Sequence, residues 1–163
     1  MYIERALEPL VRRYSENFKI VAVTGPRQVG KTTMLKHLME EEAESGVDRV
    51  YVTLDNTAIL QTAKEDPALF LQRYRPPVLI DEIQKAPELL PYIKMIVDER
   101  DDCGSVWITG SQPLHLMKAV SESLAGRVGI VEMLGLSHSE VAGTPSEPCL
   151  PSADYFMRRV DMA

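Results

Sequence analysis

The sequence predicts an α/β fold built on a parallel sheet, and three observations indicate it. Short apolar runs typical of buried strands alternate along the chain with stretches of helical periodicity. The run at residues 19–24 leads into a glycine-rich loop, and a helix-forming stretch follows that loop. A further apolar run, at residues 78–80, ends in two adjacent carboxylates, Asp81 and Glu82. Because parallel α/β sheets bind ligands at the carboxyl ends of their strands, we expect the loop and these carboxylates on one edge.

The glycine-rich loop has the pattern G-x-x-x-x-G-K-T, which cradles phosphate groups when it lies between a strand and a helix. Its two glycines permit backbone angles that other residues avoid, and they let the main chain approach an anion closely. The N–H groups of the loop then converge on phosphate oxygens at the positive end of the next helix. Lys31 can reach the β- and γ-phosphates, and the Thr32 hydroxyl can bind Mg²⁺. The pattern predicts a nucleotide site formed by Gly25, Pro26, Arg27, Gln28, Val29, Gly30, Lys31, Thr32 and Thr33.

Other polar groups expected at this edge follow two further strands. Asp81 is placed to hold Mg²⁺ opposite Thr32, directly or through water. Glu82 can orient or deprotonate the water that attacks the γ-phosphate. The strand predicted at residues 105–109 leads to Ser111 and Gln112, whose hydroxyl and amide groups can sense the γ-phosphate or hold the attacking water. A plain turn with a helix cap is the alternative interpretation of Ser111 and Gln112.

The first half of the chain yields its elements in order. Residues 2–15 have a helical apolar stripe, in which Pro9 implies a kink or a fresh start; this helix either covers the nucleotide base or packs as an ordinary helix. The stretch at 33–45 predicts a helix that ends before Gly46. Residues 49–54 are rich in β-branched and aromatic residues, as strands are. Asp55 follows, and a helix cap is favoured over a catalytic carboxylate there.

The second half continues the alternation. Asp66 is expected to cap a helix at residues 68–74, which the prolines at 76 and 77 end. Helices are predicted at 87–100 and 114–124, and a strand at 128–134. Ser137 and Glu140 match a capping box for one more helix. From Gly143 the chain turns irregular and has the composition of a linker.

Composition limits the class of protein. A chain of 163 residues that is 45% hydrophobic can bury one sizeable core. Its net charge of −6 provides no overall attraction to nucleic acid. The two cysteines have neither zinc-site spacing nor a disulfide framework, and the three histidines are scattered. No apolar run approaches the length of a membrane span, so we expect a cytoplasmic protein without a membrane partner.

Four segments, taken in order, resemble the motifs of prokaryotic AAA-like ATPases, in particular the AAA_14 group. They are residues 25–33 (the Walker A position), 79–87 (the Walker B position), 108–112 and 124–127. The resemblance covers roughly residues 1–143. It implies a three-layer P-loop NTPase fold with a five-stranded parallel sheet in the order 5-1-4-3-2. It also implies ATP, Mg²⁺ and hydrolysis.

The resemblance bears on Arg127 and on domain organisation. Arg127 matches the family's Ala-Gly-Arg position, but its residue type alone is equally compatible with a cation near the phosphates and with a solvated arginine at a strand start. Whether it acts as an arginine finger, in its own subunit or in a neighbour's, stays open. Members of the group usually carry a further C-terminal domain. We therefore expect an ATPase domain at 1–143 and, at 144–163, a linker and the start of that domain, with a homo-oligomer or a protein as further partners.

The leading functional hypothesis is a Mg²⁺-dependent ATP-hydrolysing domain that drives or gates an attached or partner module. The alternative is a nucleotide-dependent binding switch with little turnover. A GTPase is disfavoured because the nearest string to a guanine-recognition signature, residues 63–66, has the wrong first residue and precedes Asp81. A small-molecule kinase is disfavoured because Asp81 and Glu82 favour water as the acceptor and no basic lid is visible in the sequence.

Overall fold

Five parallel strands form a single sheet in the computed structural model, which describes residues 2–111, 120 and 123–143. The strands are β1 (Ile20–Thr24), β2 (Val50–Thr53), β3 (Val78–Asp81), β4 (Val106–Gly110) and β5 (Val128–Glu132). Their order across the sheet is β2-β3-β4-β1-β5, with every neighbouring pair parallel. This is the predicted order 5-1-4-3-2 counted from the other edge, so the fold class is confirmed.

The helices surround this sheet. They are α1 (Glu8–Asn17), α2 (Lys31–Glu44), α3 (Thr57–Glu65), α4 (Pro67–Arg73), α5 (Leu89–Asp98) and the short α6 (His138–Val141), with a 3₁₀ turn at Ile83–Lys85. The helical stripe predicted over residues 2–15 begins too early, but the fresh start that Pro9 implied is confirmed, because α1 begins at Glu8. Pro9 lies in the first turn, where a backbone N–H has no intrahelical acceptor, so its missing N–H costs no hydrogen bond. None of the described helices is long and apolar enough to cross a membrane. Most of the helix predicted at 114–124, and the linker predicted at 144–163, lie outside the described residues.

Two apolar clusters, one on each face of the sheet, make the fold three-layered. Successive residues of a strand point to opposite faces, so Ile20 and Ala22 join one cluster while Val21 and Val23 join the other. The first cluster contains buried residues of α3, α4 and α5, and the second contains buried residues of α1 and α2. Burial on both faces explains why the strand sequences are continuous apolar runs.

Side-chain caps fix where several helices start. Asp66 accepts the N–H of Leu69 at 2.9 Å and caps α4, as predicted. The capping box of Ser137 and Glu140 at the start of α6 is likewise confirmed. The cap predicted at Asp55 is wrong, because the neighbouring Asn56 accepts the first N–H groups of α3. The carboxylate of Asp55 instead accepts a hydrogen bond from another part of the chain.

Candidate nucleotide-binding site

The glycine-rich loop joins the central strand β1 to the first residue of α2. Gly25 has a φ of 142°, and a Cβ there would lie 2.0 Å from the carbonyl oxygen of Met133, so no larger residue fits. Gly30 has a φ of 94°, a left-handed conformation that turns the chain into α2. Gln28 is also left-handed, with a φ of 63°. This geometry directs the loop around the amino end of a 14-residue helix, where backbone N–H groups and the helix dipole favour an anion.

Lys31 lies inside this loop with only 6% of its surface exposed. Its ammonium group donates hydrogen bonds to the carbonyl oxygens of Gly25, at 3.0 Å, and Pro26, at 2.7 Å. Burial lowers the pKa of Lys31, and the nearby carboxylates of Glu82 and Asp81 oppose that shift. Two main-chain carbonyl oxygens thus hold the ammonium group of Lys31 in place, and two nearby carboxylates stabilise its positive charge.

Asp81, the last residue of β3, accepts hydrogen bonds from side chains of three other elements, α2, β4 and β2. Its Oδ1 accepts hydrogen bonds from the hydroxyl of Thr32, at 2.8 Å, and from that of Thr109. Its Oδ2 accepts one from the Tyr51 hydroxyl at 3.1 Å. Burial, together with the charge and hydrogen bond of Asp81, raises the pKa of Tyr51 to about 12, so the tyrosine stays a donor. The structure therefore brings Thr32 and Asp81 together, as the sequence predicted.

The sequence analysis did not identify Tyr51 or Thr109 as members of this group. Each lies on a strand adjacent to β3: Thr109 is next to the carboxyl end of β4, whereas Tyr51 is the second residue of β2. For Thr109, the signal was available, because polar side chains at the carboxyl ends of neighbouring parallel strands converge on one edge. For Tyr51, the hydroxyl must reach along β2 to its neighbour, and the sequence pattern does not indicate that reach.

Glu82 follows β3 in a left-handed conformation, with φ 61° and ψ 44°. Its N–H donates to the Thr109 hydroxyl oxygen at 3.1 Å, which anchors this unusual backbone. Its carboxylate accepts hydrogen bonds from Ser111, at 3.0 Å, and from the amide of Gln84. Gln84 also donates to the Ser111 hydroxyl at 3.1 Å, so the three side chains form a closed set. A left-handed non-glycine residue costs about 1–3 kcal/mol and is typical of functional sites.

Two clefts open beside the loop. The first, of about 520 Å³, is lined by polar and charged side chains and by loop backbone: Arg27, Gln28, Gly30, Lys31, Thr32, Thr33, Asp55, Glu82 and Lys85. The second, of about 580 Å³, is lined by Tyr2, Ile3, Arg5, Gln28, Val29, Gly30, Thr33, Gly135 and Leu136. Both volumes are in the range of small-molecule sites. The two clefts adjoin the same loop, since Gln28, Gly30 and Thr33 line both of them.

The structure does not bring Arg127 to this site. The residue directly precedes β5, whose first residue pairs with Ile20 at the start of β1. The phosphate loop leaves the other end of β1, about 13 Å away along the strand. The guanidinium of Arg127 pairs with Asp98 at the end of α5, with one nitrogen–oxygen distance of 2.9 Å. The interpretation of Arg127 as a cation near the phosphates of its own chain is therefore wrong. Gln112, the other residue predicted at this edge, lies outside the described residues.

Comparison with known proteins agrees with this geometry. Residues 17–142 match the AAA_14 family, described as an AAA domain. The chain belongs to this AAA domain family. Two mycobacterial proteins, Rv2008c of Mycobacterium tuberculosis and Mb2031c of Mycobacterium bovis, are each 33% identical to it over 137 residues. The aligned part is 84% of this chain but 30% of either relative, so this AAA domain spans under a third of their length.

Solved structures share the fold of this AAA domain. The DnaC helicase loader superposes with a TM-score of 0.54 and 16% identity, over 77% of this chain and 87% of the other. AMPPCP-bound DnaA from Aquifex aeolicus superposes with a TM-score of 0.57 and 17% identity, over 82% and 48%. The P-loop NTPase domain of the sigma-54 transport activator from E. coli gives 0.53 and 13%, over 79% and 92%. These similarities identify an AAA-type P-loop NTPase fold.

Proposed function

We propose that this chain is a Mg²⁺-dependent ATPase domain that drives or gates an attached or partner module. One observation carries the proposal: the Thr32 hydroxyl lies 2.8 Å from Asp81, and Lys31 and Glu82 line the cleft beside that pair. Phosphoryl transfer needs mainly positioning and charge stabilisation, and these groups supply both. The similar fold of AMPPCP-bound DnaA supports nucleotide binding.

The oxygens of Thr32 and Asp81 fit a magnesium ion. Mg²⁺ prefers hard oxygen ligands and usually takes one or two from the protein, with substrate phosphates and waters completing the shell. Within the described residues there is no group of three or more His, Cys, Asp or Glu side chains that could hold a metal alone, which agrees with a shared site of this kind. When bound, the ion would neutralise part of the negative charge of the phosphates. Tyr51 and Thr109 hold the Asp81 carboxylate in one orientation for it.

The remaining groups have distinct proposed roles. The loop amides and Lys31 bind the phosphates. Glu82 orients the attacking water and accepts its proton. Ser111, with Gln112 next to it in sequence, senses the γ-phosphate, and Gln84 and Ser111 hold the Glu82 carboxylate in position. We do not assign Arg127 to the site of its own chain.

The second cleft fits the nucleotide base. It continues from the phosphate loop through Val29 and Gly30, and the aromatic ring of Tyr2 and the apolar side chains of Ile3 and Leu136 line it. A purine presents a large flat apolar face, which such side chains cover well. The N-terminal segment ahead of α1 is thus part of the proposed base site. Covering the base was one of the two interpretations that the sequence allowed for this segment.

A nucleotide-dependent switch with little turnover is the second candidate. It is favoured by the position of Arg127 away from the phosphate loop of its own chain, since an arginine at the transferred phosphate raises turnover in phosphoryl transfer.

Phosphate release from ATP with Mg²⁺ tests both candidates, using wild type, Glu82→Gln and Lys31→Met. We expect Glu82→Gln, which keeps the size of the side chain, to bind ATP normally and to lower turnover about 100-fold or more. Lys31→Met should lose binding. Equal turnover in wild type and Glu82→Gln would remove Glu82 from its role. Binding by the wild type without phosphate release would favour the switch, and the absence of binding would overturn both.

A further inference from the structure

An ion pair between Lys85 and Asp55 lies on the first cleft, and none of the roles above uses it. The Lys85 ammonium donates to the Asp55 carboxylate, and both residues line the cleft together with Lys31, Thr32 and Glu82. Asp55 comes two residues after the end of β2, and Lys85 comes three residues after Glu82. The pair therefore joins the segments that follow β2 and β3, beside the first cleft.

The backbone of Lys85 is fixed relative to Glu82. Its N–H donates to the Glu82 carbonyl oxygen at 3.0 Å, which closes the 3₁₀ turn. Ile83, in the same turn, is completely buried. The lysine thus extends a flexible side chain from a rigid base, next to the residue that is proposed to orient water.

The charges around the cleft explain why a cation is useful here. The described side chains on its lining include three cations, Arg27, Lys31 and Lys85. Lys31 is held inside the loop by main-chain oxygens. In phosphoryl transfer, negative charge spreads over the three equatorial oxygens of the terminal phosphate, so a further cation there stabilises it. Since Arg127 lies at the other end of the sheet, Lys85 is well placed to supply that charge within the chain.

The partner of Lys85 can be exchanged easily. The Asp55 side chain is 64% exposed and that of Lys85 is 34% exposed. An ion pair between exposed side chains contributes little to stability, so replacing Asp55 by a phosphate oxygen costs little. We propose that Lys85 contacts the γ-phosphate of bound ATP and that Asp55 is its alternative partner when no γ-phosphate is present. This inference rests on the proposed nucleotide site.

The test compares the affinities for ATP and ADP, each with Mg²⁺, in wild type, Lys85→Met and Lys85→Arg. A contact with the terminal phosphate predicts that Lys85→Met binds ATP about tenfold more weakly, which is about 1.4 kcal/mol, while its ADP affinity changes less than twofold. Lys85→Arg should recover most of the loss, and Asp55→Asn should not weaken ATP binding. An equal loss for ATP and ADP, or no loss for either, would overturn the proposal.

Lys64→Met is the matched control, because it removes the same charge from the exposed surface of α3 and Lys64 does not line the cleft. It should leave both affinities unchanged. Lys31→Met separates this inference from the proposed function. Suppose that the wild type binds ATP and Lys31→Met does not. If Lys85→Met then has the same ratio of ATP affinity to ADP affinity as the wild type, only the role of Lys85 is overturned. If the wild type binds neither nucleotide, the site itself is wrong and Lys85 has no phosphate to contact.

Discussion

The two ends of the sheet use polar residues in different ways. At the carboxyl ends, Thr32, Asp81 and Thr109 share hydrogen bonds, and the two left-handed non-glycine residues of the described chain, Gln28 and Glu82, both lie there. At the amino ends, several polar side chains pair with other parts of the fold. The guanidinium of Arg49 stacks on the Trp107 ring at 3.9 Å and pairs with Glu42 at 2.9 Å, and the Trp107 indole donates to Ser15 at 3.0 Å.

Cavity size does not distinguish the two ends. A cleft of about 740 Å³ opens at the amino ends, lined in part by Arg12, Glu41, Arg49 and Trp107, and it is larger than either cleft beside the phosphate loop. The difference lies in the chemistry. Left-handed non-glycine residues are typical of functional sites, whereas paired charges and an indole with a hydrogen-bond acceptor are typical of packing. We therefore propose that the carboxyl ends serve function and that the amino ends serve stability.

The largest expected effects come from replacing one glycine at each end of the sheet by alanine. Gly25→Ala places a Cβ 2.0 Å from the Met133 carbonyl oxygen, and Gly104→Ala places one 2.6 Å from that of Ser15, with φ 66°. Strain and overpacking together should lower the free energy of unfolding by about 3 kcal/mol or more in both. Urea denaturation measures this loss. Only Gly25→Ala should also lose nucleotide binding in its folded fraction, and loss of binding by folded Gly104→Ala would contradict the contrast.

The next largest effect is expected from removing a cation, and we compare this removal at each end of the sheet. Lys31→Met removes the ammonium from the phosphate loop, and we expect ATP affinity to fall about 100-fold, or about 2.7 kcal/mol. Arg127→Met removes the guanidinium that pairs with Asp98 at the amino end, and ATP affinity should change less than twofold. Titration calorimetry with ATP and Mg²⁺ measures both. A large loss in Arg127→Met would return Arg127 to the nucleotide site.

Local patterns predicted the strands and the centre of the site, whereas the order of the strands in the sheet was implied by the family resemblance. Apolar runs locate the strands, and parallel strands bring Lys31, Thr32 and Asp81 to the same edge regardless of the intervening chain. The same logic could have excluded Arg127, since a residue that directly precedes a parallel strand must lie at the amino edge. The cap at Asp55 was wrong by one residue because both Asp55 and Asn56 have suitable side chains, and only the chain path decides between them.

Contacts between distant segments could not be predicted. Arg5 and Glu140 are separated by 135 residues, yet their side chains meet at 3.0 Å with both nearly buried. Arg5 also donates to the carbonyl oxygens of Val29, at 2.8 Å, and Leu134, at 2.9 Å. Neither residue belongs to a periodic pattern that requires the other. Glu140 was recognised for its capping box, which is local, and its second role depends on packing that the sequence does not encode at short range.

Glu140 provides a prediction for a buried carboxylate whose role is structural although it lies near the phosphate loop. Burial alone would raise its pKa, but N–H donors from Ser137 and Ala6 and the guanidinium of Arg5 outweigh burial and lower the pKa to about 2. A depressed carboxylate pKa contributes stability that is complete above the unfolded value of 4.5 and is lost as the pH falls toward 2. Glu140→Gln should therefore lower the free energy of unfolding by about 2 kcal/mol at pH 7.

Denaturation of wild type and Glu140→Gln at pH 7 and at pH 3 checks this sign. The difference in the free energy of unfolding should shrink at the lower pH. At pH 3 the wild-type carboxylate is mostly protonated in the unfolded state but still mostly ionised in the folded state, and this proton uptake on unfolding lowers the stability of the wild type. A difference that stays constant with pH would show that the amide loses packing or hydrogen bonds rather than a charge-dependent interaction.

The smallest expected effects come from deleting one hydroxyl at each end of the sheet. Ser15→Ala leaves the indole N–H of Trp107, a residue only 2% exposed, without its acceptor, which should lower the free energy of unfolding by about 1 kcal/mol and leave ATP turnover unchanged. Ser111→Ala removes a donor to Glu82 at the carboxyl end. Gln84 still donates to that carboxylate, so stability should change little, but a less firmly held Glu82 should lower turnover about tenfold. If the two variants exchanged these effects, so that Ser15→Ala slowed phosphate release and Ser111→Ala only lowered stability, left-handed non-glycine backbone would not mark the functional end of this sheet.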